Sequence, residues 1–89
     1  MADVEIYTRM LCGYCARAKA LLKRKGVAFT EIEAGFDAEK RKEMIARAGA
    51  GATFPQVFVN GRRVGGCDEL HALERAGELD RLLADGASP

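Results

Sequence analysis

Cys12-Gly13-Tyr14-Cys15 falls where a strand-like run gives way to a helix-like one. That junction constrains the fold more than any other feature of the chain. Ahead of it, Val4, Ile6 and Tyr7 make a short strand-like run, and Met10 and Leu11 lead into the cysteines. Behind it, Cys15, Ala18, Leu21 and Leu22 recur at helical spacing as far as Lys25. Gly26 then suits the left-handed position just past a helix end. Two thiols at a helix N-terminus meet backbone N–H groups and the positive end of the helix dipole, where a thiolate is stabilised. The thiolate is the nucleophile in thiol–disulfide exchange.

The rest of the chain supplies elements in a fixed order. Val27 to Ile32 reads as a second strand, and Asp37 as the N-cap of a helix running to Ala48. Met44, Ile45 and Ala48 are expected on that helix's buried face. Gly49 to Ala52 form a connector. Gln56 to Val59 is a strand, Asn60-Gly61 a two-residue hairpin turn, and Arg62-Arg63-Val64 the returning strand. Gly65-Gly66 breaks the chain before another helix, capped by Asp68, with Leu70 and Leu73 inward and Gly77 at its end. Leu79, Leu82 and Leu83 mark a last short helix, and residues 84–89 read as a frayed tail.

The pattern β-α-β-α-β-β-α-α is an α/β chain, read as a single domain over residues 1–89. The first βαβ unit makes a right-handed crossover between parallel strands, and the hairpin adds an antiparallel pair. The expected product is a four-stranded mixed sheet with helices on both faces. A C-x-x-C near the start of a βαβ unit reads as a thioredoxin-like redox motif, and the thioredoxin fold is the expected architecture.

Bulk properties narrow the function. A formal net charge of +1 argues against electrostatically driven nucleic-acid binding. No apolar run is long enough to span a bilayer, so no membrane role is expected. Met1 to Glu5 carries no basic stretch leading into an apolar one, so no signal peptide is read. Three cysteines, two of them in one C-x-x-C, suit catalytic thiols in a reducing compartment, the cytoplasm, better than a structural disulfide framework.

Within the motif, Cys12 is the candidate nucleophile and Cys15 the resolving thiol. Cys15 lies one turn into the helix and is expected to be more buried, with the higher pKa. Zinc needs four ligands, and Cys67 with His71 would have to complete the set; the periodicities around both segments explain the fold without metal. His71 reads as a helix-surface residue.

Other segments have two readings each. Thr53-Phe54-Pro55 is either an ordinary strand entry or a cis-proline turn. In the second case the Phe54 backbone faces outward to pair with an extended peptide. Gly66-Cys67-Asp68 is either turn chemistry with an N-cap or a place where a ligand approaches a helix end closely. Arg9 is a solvated rim charge or a carboxylate binder. Tyr14 reads as a half-exposed ring beside the thiols, and Cys67 as an accessible bystander thiol open to oxidation. Arg17, Lys19, Lys23, Arg24 and Lys25 on the first helix are a solvated face or a patch for an acidic partner.

Tyr7-Thr8-Arg9, Cys12-Gly13-Tyr14-Cys15, Thr53-Phe54-Pro55 and Gly65-Gly66-Cys67-Asp68 occur in that order at characteristic separations. Together they resemble a glutaredoxin of the small bacterial dithiol class, over roughly residues 3–83. The resemblance implies a glutathione-dependent thiol–disulfide oxidoreductase. It would act on protein–glutathione mixed disulfides and protein disulfides, with Cys12 attacking and Cys15 resolving. It implies that Arg9, standing where the family usually has Lys, holds the glycine carboxylate of glutathione. Tyr14 and Thr53 border the groove, Phe54 before Pro55 pairs through its backbone, and Gly66, Cys67 and Asp68 meet the γ-glutamyl end. Two departures stand out: Gly13 where Pro is commonest, and Phe54 where Val is commoner. Glycine at position 13 also occurs in family members that bind a [2Fe–2S] cluster. The alternative is therefore a glutathione-ligated cluster bridging a homodimer, one Cys12 from each chain. The plain oxidoreductase would be a monomer. Service by thioredoxin reductase in place of glutathione fits Arg9 and Asp68 less well.

Overall fold

A computed structural model describes residues 2–84. Among them, β1 is Val4–Thr8, α1 Gly13–Arg24, β2 Thr30–Glu33 and α2 Ala38–Ala48. They are followed by β3 Gln56–Val59, β4 Arg62–Gly65, α3 Cys67–Arg75 and α4 Leu79–Ala84. The sheet order is β2-β1-β3-β4. β1 runs parallel to β2 and antiparallel to β3, which pairs antiparallel with β4. This is the mixed four-stranded sheet that the element order requires. The expected tail falls on residues 85–89, outside the described residues, and Ala84 closes α4.

Side chains alternate across the strands and build two cores. Val4, Ile6, Val57 and Val59 face α1, α3 and α4, where Ala18, Leu21, Leu22, Leu70, Leu79 and Leu83 close over them. The opposite face holds a smaller cluster: Tyr7, Phe58, Ala34 and Met44 of α2. The rings of Tyr7 and Phe58 meet edge to face at 5.7 Å.

Four expectations are corrected. The second strand starts at Thr30, not Val27. The Val27 N–H is taken by the Leu22 carbonyl at the end of α1 (3.4 Å), so Val27 and Phe29 pack against the core as part of the returning chain. Ile45 is 38% exposed, because α2 turns only Met44 fully onto the narrow second core. Asp68 does not cap α3. The helix begins two residues earlier, with Gly66 as its cap and the Glu69 Oε1 accepting the Gly66 N–H at 2.7 Å. Cys67 consequently becomes the first helical residue and is buried.

Asp37 caps α2 as expected, accepting from the Glu39 and Lys40 amides. Asn60 and Gly61 have φ of 52° and 81°, the left-handed pair that a two-residue hairpin turn needs.

One contact ties this scaffold to the C-x-x-C loop. Gly35, just after β2, lies so close to Arg9 that an added Cβ would sit 2.6 Å from the Arg9 Cβ and 3.2 Å from its Cα. A methyl group there forces the two loops apart. Gly35→Ala is expected to destabilise the fold by about 1–3 kcal/mol in denaturant unfolding. An unchanged midpoint would show that the loops separate without cost.

Candidate active site

β1 ends at Thr8, and residues 9–12 carry the chain across the end of the sheet to α1. Leu11 makes the turn with φ of 55°, a left-handed conformation costing about 1–2 kcal/mol for a residue other than glycine. Its side chain is 99% exposed. Cys12 follows in extended conformation as the N-cap of α1. Its Sγ accepts the Cys15 N–H at 3.1 Å, and its carbonyl accepts the Ala16 N–H. The sulfur thus takes the place that a Ser, Thr or Asp oxygen usually holds at a helix start.

The two thiols of the motif differ in environment. Cys12 is half-buried and opens to solvent, whereas Cys15 is 2% exposed. Burial pushes the Cys15 thiol up to about 12, its hydrogen bond with Cys12 adds to this, and the Arg9 backbone pulls the other way. At neutral pH Cys15 keeps its proton.

A cleft of about 310 Å³ is lined by Tyr14, Thr53, Phe54, Pro55, Gly66, Cys67, Asp68 and Glu69. Three chain segments distant in sequence meet there: the first turn of α1, the loop before β3 and the start of α3. The Phe54–Pro55 bond is cis. Thr53 is exposed at the cleft's edge, and its carbonyl accepts from the Gln56 side-chain amide at 2.7 Å. Arg9 lies outside this cleft. It lines a neighbouring pocket with Arg41, Met44, Ile45, Ala52, Thr53 and Phe54. Cys12 borders two further depressions, one beside Tyr14 and one lined also by Thr8, Lys19, Glu31 and Glu33.

Cys67 is corrected from an accessible thiol to a buried one, 4% exposed. Burial raises its pKa. Its Sγ lies 3.4 Å from the His71 Nδ1, which also sits 2.9 Å from the Cys67 carbonyl oxygen, so His71 folds back on its own helix. Among the described residues no group of three His, Cys, Asp or Glu side chains gathers to hold a metal ion. Nor is any helix among them long and apolar enough to cross a membrane.

The glutaredoxin family profile matches residues 4–64. The chain belongs to the glutaredoxin family. It is 54% identical over 83 residues to glutaredoxin 3 of Escherichia coli K12, covering 93% of this chain and 99% of that protein. The solution structure of glutaredoxin from Brucella melitensis superposes with a TM-score of 0.81 at 59% identity, covering 93% of this chain and 89% of that one. A crystal structure of a buckwheat glutaredoxin–glutathione complex matches equally well in shape, with a TM-score of 0.81 at 28% identity over 92% of this chain and 76% of that one.

Within this glutaredoxin, two residues escaped the sequence reading. Arg41 of α2 lies over the Phe54 ring, 5.7 Å from its centroid, and donates to the Gly35 carbonyl at 3.0 Å. Glu69 lines the cleft while holding the Gly66 amide. Arg41 sits in a run of alternating charges, and nothing local distinguishes it from its neighbours. Glu69, three residues after Gly66, is a legible capping signal that the choice of Asp68 obscured.

The burial pattern makes a chemical prediction. Near neutral pH, limited iodoacetamide is expected to label the reduced protein once, at Cys12. Labelling of Cys15 should accelerate only as pH climbs towards about 12, because the raised thiol must first lose its proton. Peptide mass mapping reads this directly, and comparable early labelling of Cys67 would contradict its burial.

Proposed function

We propose that this chain is a glutathione-dependent thiol–disulfide oxidoreductase reducing protein–glutathione mixed disulfides and protein disulfides through Cys12 and Cys15. The observation that carries the reading is the paired environment of the thiols. Cys12 opens to solvent with its sulfur on the helix N-terminus, and Cys15 is buried one turn below.

In the first half-reaction the Cys12 thiolate attacks the glutathione sulfur of a mixed disulfide. The old S–S bond breaks, the protein leaves as its thiolate, and Cys12 holds glutathione. A glutathione thiolate then attacks that glutathione sulfur, releasing oxidised glutathione and restoring Cys12. One glutathione thiol is consumed, the substrate protein's sulfur leaves as a thiol, and its glutathione half leaves in the oxidised glutathione. With a protein disulfide, Cys12 forms the mixed disulfide with the substrate. Cys15 must then shed its proton to attack Cys12, forming the Cys12–Cys15 disulfide and releasing the second substrate thiol. Proximity supplies a large effective concentration for that step.

Glutathione is a tripeptide with a carboxylate at each end and an ammonium group at one. The cleft of Tyr14, Thr53, Phe54, Pro55, Gly66, Cys67 and Asp68 suits it chemically. The start of α3 offers backbone N–H groups to the γ-glutamyl carboxylate, and Asp68 can take its ammonium. Arg9 and Arg41, which line the adjoining pocket, supply cations for the glycine carboxylate. Reduction of this kind belongs in a glutathione-rich compartment such as the cytoplasm.

Two substitutions test the roles. Cys12→Ser is expected to abolish reduction of both substrate types, measured by glutathione-coupled turnover. Cys15→Ser is expected to spare deglutathionylation and stop the dithiol route. Turnover by Cys12→Ser would sink the assignment.

A second reading rests on Gly13. A Cβ added there meets nothing within 4 Å, so the space beside Cys12 is open. A [2Fe–2S] cluster needs four thiolates. One chain offers a single accessible one, so the donor set closes only with a second copy and two glutathione thiols. Anaerobic reconstitution with iron, sulfide and glutathione is expected to give a coloured dimer if this reading holds. A colourless monomer removes it.

A further inference from the structure

Cys12 borders two depressions: one runs towards Lys19, Glu31 and Glu33, and the other, beside Tyr14, has a composition of its own. Arg9, Leu11, Cys12, Gly13, Tyr14 and Arg17 line about 360 Å³, two of them arginines and none acidic. It shares Tyr14 with the cleft assigned to glutathione and Arg9 with the pocket that adjoins it. Leu11 is 99% exposed and held in left-handed backbone, Met10 beside it is 60% exposed, and Tyr14 is 57% exposed. An apolar side chain displayed in strained backbone next to a nucleophile has no packing role to explain it. Arg17 lies over the Tyr14 ring at 5.9 Å and forms no ion pair among the described residues. On the same helix Lys19 is paired with Glu31, and just past its end Lys25 is paired with Glu74 and Asp80.

We infer that this face docks the protein half of the mixed disulfide and favours polypeptides whose target cysteine lies in a short acidic and apolar segment. The inference rests on the glutathione-dependent reading above and names the substrate class of the same site. Displacement at sulfur runs along the S–S axis. While the glutathione half occupies its cleft, the leaving protein half stands over the residues that ring Cys12. Leu11 and Tyr14 offer that segment apolar surface to bury. Arg17 offers it a charge of one sign, which steers acidic chains and repels basic ones.

The test uses two glutathionylated peptides, one with its cysteine between Leu and Glu and one with Lys replacing Glu. Cysteine–glutathione mixed disulfide serves as the small substrate. The unmodified protein is expected to favour the acidic peptide in kcat/KM by roughly fivefold, the gap narrowing as salt rises. Arg17→Glu is expected to erase or invert that preference. Leu11→Asn, a residue that tolerates left-handed backbone, should slow both peptides. Both variants should handle the small disulfide as the unmodified protein does.

Equal rates on the two peptides, with the small disulfide turned over, overturn the docking inference and leave the parent reading intact. No turnover of the small disulfide overturns the parent reading. An Arg17→Glu protein slowed as much on the small disulfide as on the peptides would assign Arg17 to glutathione and end the docking role.

Discussion

The hydrogen bond from the Cys15 amide to the Cys12 sulfur decides where α1 begins, and the rest of the site is laid out from that point. A helix start leaves backbone N–H groups without partners, and a side-chain acceptor at the cap satisfies one of them. Here the acceptor is the sulfur that also faces solvent. The helix cap and the proposed nucleophile are therefore one atom. The strained turn at Leu11 brings Cys12 out of β1 and into that position. No acidic residue occupies the first turn of α1, so nothing there competes with a sulfur anion for the dipole.

Burial then separates three chemically identical thiols. Cys15 joins the inner side of α1, in line with Ala18, Leu21 and Leu22, and Cys67 is drawn into the same core from α3. Both lie under apolar neighbours that penalise the charged form. Only the cysteine at the cap escapes this. Selectivity among the three therefore comes from packing, and the order of events proposed for a protein disulfide follows from it.

The periodic segments were legible from the sequence because their patterns are local. α1 shows the helical spacing of Cys15, Ala18, Leu21 and Leu22, and all four are buried. The β3–β4 hairpin follows from alternation around Asn60-Gly61. Where local patterns were shared, the reading slipped. Val27 and Phe29 look like strand residues, but the end of α1 takes the Val27 amide and the pairing partner available is Glu5–Thr8. Asp68 looks like a cap, yet Glu69 reaches back to Gly66 and moves the helix start by two residues. That single shift turned Cys67 from a loop thiol into a core one. Arg41 was invisible for a different reason: its neighbour Phe54 is 13 positions away, and only the packing of α2 on the sheet brings them together.

That packing is itself unusual in its balance. Among the described residues, the core under α2 holds four fully buried ones, one of them a tyrosine whose hydroxyl needs partners. Arg47 makes up much of the difference. Its guanidinium lies 4.0 Å from the Phe58 ring centroid, bonds the Tyr7 hydroxyl at 2.9 Å and pairs with Glu5 at 2.8 Å. Glu43, one turn earlier on α2, accepts from the same hydroxyl. A cation over an aromatic face, partly removed from water and ion-paired at its far end, is stronger than an exposed pair. α2 is thus fastened to β1 and β3 by a charged network as much as by apolar contact. The network fixes the angle at which α2 leaves the sheet, and with it the start of the connector that returns through Thr53, Phe54 and Pro55. The polar clamp at one end of α2 and the Arg41–Phe54 contact at the other hold one wall of the cleft in place. A substrate groove on loops can be well ordered when the helix feeding those loops is anchored in this way.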